Sequence, residues 1–415
     1  MGALLIAAAL AQVGASGGSA TPGSSDATAA RGHKGQSTYI ELEGGAGYSS
    51  NPNLALVNSE GSAFGRISLH AVHSRVSNRS TTLLSAYAEN DSYTNGISSQ
   101  QAVNVTARHD TAVSEHARLF IDGHASYQEG GQLGTRILNL PNVPPLTSGV
   151  VEPPILIPPT GDFLSVTGRS YSFGGNVGGT FALSPRDDLS LSAGADHVVF
   201  HNGAIRTSYT TIPASLAYDR QLSERTTVGA RVTFADTEYA GPAGFRTITP
   251  QLTARTSLSP TLSLNGAIGV SFSRINDGLT VRHRTGFAAD IARCGQGESN
   301  YYCARFGVDE QTATTAGPAR TISGGVDYTQ RLDADQSISF SLGITRYSSP
   351  ISVVTGQSFS DSTYYRAASS YSRRFSTRLF GGVNLGVRKL TQSGPDPKAD
   401  FNASLFIRYR FGDIE

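Results

Sequence analysis

Phe401-Asn402-Ala403-Ser404-Leu405-Phe406-Ile407-Arg408-Tyr409-Arg410-Phe411 decides the fold class. The odd positions are all apolar, and the even positions are polar or charged except Phe406. Successive side chains of a strand point to opposite faces, so this segment has one apolar face and one wet face. Residues 164–182 repeat the pattern, with Tyr171, Phe173, Val177 and Phe181 opposite Ser170, Ser172, Asn176 and Thr180. So do residues 117–128, where Leu119, Ile121, Ala125 and Tyr127 oppose Arg118, Asp122, His124, Ser126 and Gln128.

Segments of this kind are too long for a soluble sandwich. They run about 11 to 16 residues, whereas globular strands average ~5 to 6 and a tilted membrane strand needs ~9 to 11. Seven short turns separate them in pairs: Val76-Ser77-Asn78-Arg79, Val113-Ser114-Glu115-His116, Leu183-Ser184-Pro185-Arg186, Leu222-Ser223-Glu224-Arg225, Leu258-Ser259-Pro260-Thr261, Leu332-Asp333-Ala334-Asp335 and Phe375-Ser376-Thr377-Arg378. Each is an apolar residue, then Ser or Asp, then two residues before the next extended run. The expected fold is all-β: a transmembrane antiparallel up-and-down β-barrel of about 16 strands.

Composition agrees. Only 38% of the 415 residues are hydrophobic, and no apolar run approaches the ~20 residues of a membrane helix, so the chain spans as strands if it spans at all. The 46 glycines suit tight turns and close strand contact. A net charge of +1 gives no reason to expect a nucleic-acid partner.

Ala3 to Leu10 form a short apolar core and Val13-Gly14-Ala15 a small-x-small cleavage site, which read together as a signal peptide over residues 1–15, although its start carries no Lys or Arg. Residues 16–37 are rich in Gly, Ser, Ala and Thr and are expected to form a disordered periplasmic leader. The barrel is assigned to 38–411 and a C-terminal tail to 412–415. With a periplasmic N-terminus, the seven turns fall in the periplasm and the long connections 49–62, 129–163, 276–318, 349–358 and 391–398 fall outside. The external link at Asn202-Gly203 is only a tight hairpin.

Tyr409-Arg410-Phe411 resembles the C-terminal signal read by the barrel assembly machinery, with Gly412 to Glu415 following where that signal's aromatic usually ends the chain. Gly45-Ala46-Gly47-Tyr48-Ser49-Ser50-Asn51-Pro52-Asn53 resembles the opening of a family of outer-membrane β-barrel porins associated with exopolysaccharide gene clusters. That resemblance implies a channel in the outer membrane of a Gram-negative bacterium taking part in exopolysaccharide export, with a separate periplasmic partner to deliver the polymer, and it implies no catalytic residue or cofactor. Two other readings stand beside it: a general diffusion porin for small hydrophilic solutes, and a plugged barrel acting as a surface adhesin.

A barrel of about 16 strands leaves an aqueous lumen, so function should reside in what lines or narrows it. Arg66, Arg108, Arg118, Asp122, His124, Arg169, Arg231, Arg408 and Arg410 are candidates for the lumen face. Guanidinium groups pair with carboxylate and phosphate, so these arginines form either a ladder for an acidic polysaccharide or ordinary charges balanced by neighbours such as Asp122 and Asp236. Residues 129–163 carry seven prolines, including Pro144 and Pro145, around apolar Ile155, Leu156 and Ile157. Such a segment either folds inward as a constriction or packs on the rim. Cys294 and Cys303 sit in the expected external loop 276–318, where export favours a disulfide; two cysteines with no His between them fall short of a zinc set. Asp122, His124 and Ser126 share one strand face, but without a nucleophile elbow or phosphate loop they give no reason to expect an enzyme.

Overall fold

The computed structural model describes residues 35–54, 60–97, 99–129, 168–202, 205–276, 278–313, 317–348, 361–392 and 398–412. The expected signal peptide, most of the leader and the proline-rich segment with Pro144, Pro145, Ile155, Leu156 and Ile157 lie outside these residues. Eighteen strands follow in chain order: β1 (Gly35–Ser49), β2 (Ser62–Val76), β3 (Ser80–Tyr93), β4 (Gln100–Ala112), β5 (Ala117–Glu129), β6 (Arg169–Ser184), β7 (Asp187–Asn202), β8 (Ile205–Ser223), β9 (Thr226–Tyr239), β10 (Gly244–Ser259), β11 (Leu262–Asn276), β12 (Val281–Gln296), β13 (Asn300–Ala313), β14 (Gly317–Arg331), β15 (Gln336–Ser348), β16 (Ser362–Arg374), β17 (Leu379–Gln392) and β18 (Asp400–Gly412). Each pairs antiparallel with the next, and β18 pairs back onto β1 from Tyr39↔Gly412 to Ser49↔Asn402, so the sheet closes without an edge.

The seven turns share a cause. In every one the Ser or Asp oxygen accepts the backbone N–H two residues on: Ser77 from Arg79, Ser114 from His116, Ser184 from Arg186, Ser223 from Arg225, Ser259 from Thr261, Asp333 from Asp335 and Ser376 from Arg378, at 2.7 to 3.3 Å. A short oxygen-bearing side chain mimics a backbone turn in this way and fixes where the chain reverses.

The expected count of about sixteen becomes eighteen because 276–318 is not an external loop. It folds as β12 and β13, joined by Gly297-Glu298-Ser299 at the same end as the seven turns. Links at that turn end have two to four residues. The opposite, loop end carries the long connections 50–61, 130–168 and 349–361, but also links as tight as 203–204, 240–243 and 277–280.

Large apolar side chains face outward. Leu252, Ile67, Leu405 and Ile407 are each more than 60% exposed, and Ile121, Val177, Ile268, Phe272, Phe287 and Leu342 share the same outward rows. The inward rows hold the buried polar side chains, among them Glu41, Ser68, His70, Glu89, Asp91, Asn104, His124, Ser271, Asp327 and Asp400, interspersed with aromatic ones such as Tyr39, Phe64 and Phe406. An apolar outside around a polar inside is the inverse of a soluble sandwich and the arrangement a bilayer demands. Tyr409 and Phe411 pack at 4.6 Å between ring centres at the turn end of the outer surface, as an interfacial aromatic belt would.

Candidate functional site: a paired-charge wall under an inserted loop

Antiparallel register places the acids of β1 opposite the bases of β18. Glu43 faces Arg408 and Glu41 faces Arg410. Both contacts form inside the barrel: Arg408 Nη2 donates to Glu43 at 2.8 Å and Arg410 Nη2 to Glu41 at 2.6 Å. The wall continues onto β2 and β3, where Arg66 grips both carboxylate oxygens of Asp91 at 2.8 and 2.9 Å and lies 3.9 Å from Glu89. His70 stands 3.8 Å from Glu41, and the Tyr87 hydroxyl donates to Glu89.

Aromatic faces alternate with these pairs. The Arg66 guanidinium lies over Phe64, that of Arg408 over Phe406, and that of Arg410 over Tyr39 at 4.7 Å and Phe380 at 5.5 Å. Phe406, which breaks the alternation of β18 in sequence, therefore faces inward as a platform for Arg408.

Toward the loop end of the same wall, the chain after β1 turns into the lumen. Asp400, fully buried, accepts from the Ser49 hydroxyl at 2.6 Å and from the Asn51 amide at 2.9 Å. Its other oxygen takes Arg388 Nη2 at 2.5 Å, and the same Arg388 nitrogen reaches the Pro52 carbonyl at 3.3 Å. Asn51 Nδ2 donates to the Lys398 carbonyl at 2.9 Å, and Gln100 on β4 donates to Asn53. Leu54 ends the described stretch with φ of 46°, a left-handed conformation unusual for Leu, held by burial against Ala319, Tyr347, Tyr364 and Leu390 on β14 to β17. The loop thus reaches β4 on one flank and β14 on the other, and narrows the mouth.

The remaining candidates fall as follows. Arg108 is on the inward row and is held by Asp110 at 2.8 Å, over the ring of Phe120. Arg118 shares the inward row of β5. Asp122 accepts from Asn176 at 3.0 Å. His124 Nε2 meets Asp196 at 3.0 Å, a contact for which Gly174 leaves room, since a Cβ there would come within 2.1 Å of the Asp196 carboxylate. Ser126 bonds Ser172 on β6, so Asp122, His124 and Ser126 each engage a different partner. Arg231 is buried on β9 and donates to Gln251.

Arg169 corrects an expectation. It shares the outward row of β6 with Tyr171 and Phe173 and pairs with Glu129 on the outer surface. Asp236 also faces outward, bonded to Arg246. The cysteines need correction in place as well: Cys294 and Cys303 are joined, as a directly opposed register pair of β12 and β13 near the turn end and not within an external loop.

This is the fold of an outer-membrane barrel. No family model matches the chain and no curated protein does, so the likeness to the exopolysaccharide-associated porins rests on the residues from Gly45 to Asn53 and on the repeated strand-turn organisation of the barrel. Among solved structures, the FrpB iron transporter from Neisseria meningitidis, F3-3 variant, is similar over 87% of this chain and 62% of its own, at 11% identity and TM-score 0.46. This chain therefore spans less than two thirds of that transporter. The apoprotein form of the F5-1 variant is similar over 90% of this chain and 81% of its own, at 9% identity and TM-score 0.48. The siderophore receptor PirA from Pseudomonas aeruginosa follows with 9% identity, 91% and 81% coverage, and TM-score 0.41. Likenesses this distant assign no cargo.

Proposed function

We propose that the barrel conducts saccharide chains across the outer membrane, with export of an exopolysaccharide as its physiological role. The observation that carries this reading is the run of arginine–carboxylate pairs, backed by aromatic rings, along β18, β1, β2 and β3. A sugar ring carries hydroxyls that both donate and accept. Guanidinium and carboxylate side by side meet both roles. Because each arginine of this wall already faces a carboxylate, the wall suits a neutral polymer better than the acidic one that unpaired arginines would attract. The tight turns face the periplasm in this reading, where the barrel assembly machinery inserts the chain among outer-membrane lipids and a separate periplasmic partner delivers polymer.

Purified protein in planar bilayers tests it. Neutral dextran fragments added to one side should interrupt the ionic current in discrete events, and Tyr39→Ala should shorten them. Uninterrupted current at any dextran concentration would leave the general diffusion porin as the better reading. Charge balance along the wall already favours that alternative to the extent that it repels neither ion sign.

A further inference from the structure

One of the eighteen interfaces is incomplete. β12 and β13 pair through only eight positions, from Ala289↔Val308 to Gln296↔Tyr301, whereas every other interface holds ten to fifteen. Neither strand is short. β12 stays paired to β11 up to Asn276↔Val281, and β13 to β14 up to Ala313↔Gly317. Over the loop-end half, each is therefore held by its other neighbour and, among the described residues, they share no ladder.

The two strands overlap where they part. Val308 lies on the strand face of Tyr302 and Phe306, both outward and exposed, yet it is 5% exposed itself. Glu310, next on that face, turns its carboxylate under β12 to Arg284 Nε at 3.3 Å and to the hydroxyl of Ser273, an inward residue of β11. The inward row of β12 is small at this level: Ala288 is buried, and a Cβ on Gly286 would stand 3.4 Å from Glu310 Oε1. The outer face of β13 thus tucks behind the inner face of β12, with the Glu310–Arg284 ion pair across the overlap. At the other end of the same interface the Cys294–Cys303 bond pins the strands covalently.

In hydrocarbon a strand edge without ladder partners is costly, so seventeen interfaces are zipped along their length. An edge shielded by an overlap and side-chain contacts such as Glu310–Arg284 can part without breaking a ladder. We infer that the β12–β13 overlap is a lateral gate through which an anionic amphiphile passes between lumen and bilayer. Glu310 occupies the place of its acidic headgroup on Arg284, and its acyl chain leaves between the strands to lie along outward Val281 and Phe287, both about half exposed. The disulfide limits the opening to the loop-end half. This goes beyond saccharide conduction and does not depend on it.

The chain has no tryptophan, so one introduced residue is an unambiguous reporter. Ala292→Trp sits on the inward row of β12 below the overlap. In nanodiscs of phosphatidylglycerol with brominated acyl chains, Glu310→Ala should raise quenching of this tryptophan severalfold over the oxidised cross-link of Arg284→Cys with Glu310→Cys. The uncross-linked parent should fall between them. Brominated phosphatidylcholine should quench less, since it lacks net charge for Arg284. Equal quenching in the Glu310→Ala and cross-linked proteins, with both heat-modifiable and hence folded, would mean a sealed overlap and overturn the gate.

Discussion

Asn51 and Asp400 lie 349 positions apart in sequence and are joined by a 2.9 Å hydrogen bond from the Asn51 amide to the Asp400 carboxylate. That bond ties the first inserted loop to the last strand, so the constriction at the mouth and the closure of the barrel share a residue.

Asp400→Ala should release the loop. It leaves Arg388 buried without its carboxylate, a loss of about 3 to 5 kcal/mol for a buried pair, and removes the acceptor for Ser49 and Asn51. Single-channel conductance in planar bilayers should rise, and the temperature at which the folded band converts on an unboiled gel should fall. Unchanged conductance in a folded variant would show that residues 50–54 do not narrow the path.

Leu252→Arg separates a membrane surface from a soluble one. Leu252 is among the most exposed apolar residues of the outer rows, and a charge there in hydrocarbon costs ~2 to 4 kcal/mol, against ~0.5 kcal/mol or less on a watery surface. Urea unfolding from lipid bilayers should show the larger loss.

Ion selectivity should follow the pairs of β1 and β18. Arg408→Ala with Arg410→Ala exposes Glu43 and Glu41 to the lumen and should move the reversal potential in a KCl gradient toward cation selectivity. Glu41→Gln with Glu43→Gln should move it toward anion selectivity. Shifts of the same sign in both would mean that neither pair faces the conducting path.

Mass spectrometry of unreduced protein should recover the Cys294 and Cys303 peptides as one linked species. Replacing both by Ser should cost at most the roughly 2 to 3 kcal/mol of loop entropy for so short a separation, and less in practice because the hairpin already holds the ends together. Two free thiols in exported protein would refute the bond.

The barrel was legible in β18 because membrane strands sort apolar from polar by parity over their whole length. Its hairpin β12–β13 was not. Arg282, His283 and Arg284 put three polar residues in a row near the start of β12, and Asp309-Glu310-Gln311 runs through β13, so parity disappears where the two strands part and overlap. Arg169 and Asp236 misled for a related reason. Both stand near the loop end, above the band where an outward charge is penalised, and there polarity no longer encodes face. The inward path of residues 50–54 depends on partners from β4 to β18, which no local pattern announces.

The acids of β1 and the bases of β18 carry a recognition code between the two chain ends: they fix which strand meets which, and in what register. Nothing in that code distinguishes the ends of one molecule from those of two. Closure onto itself is therefore a matter of proximity, secured by side-chain-capped turns that bring β18 home before another copy arrives. Weakening those turns would turn the same complementarity toward head-to-tail swapped assemblies.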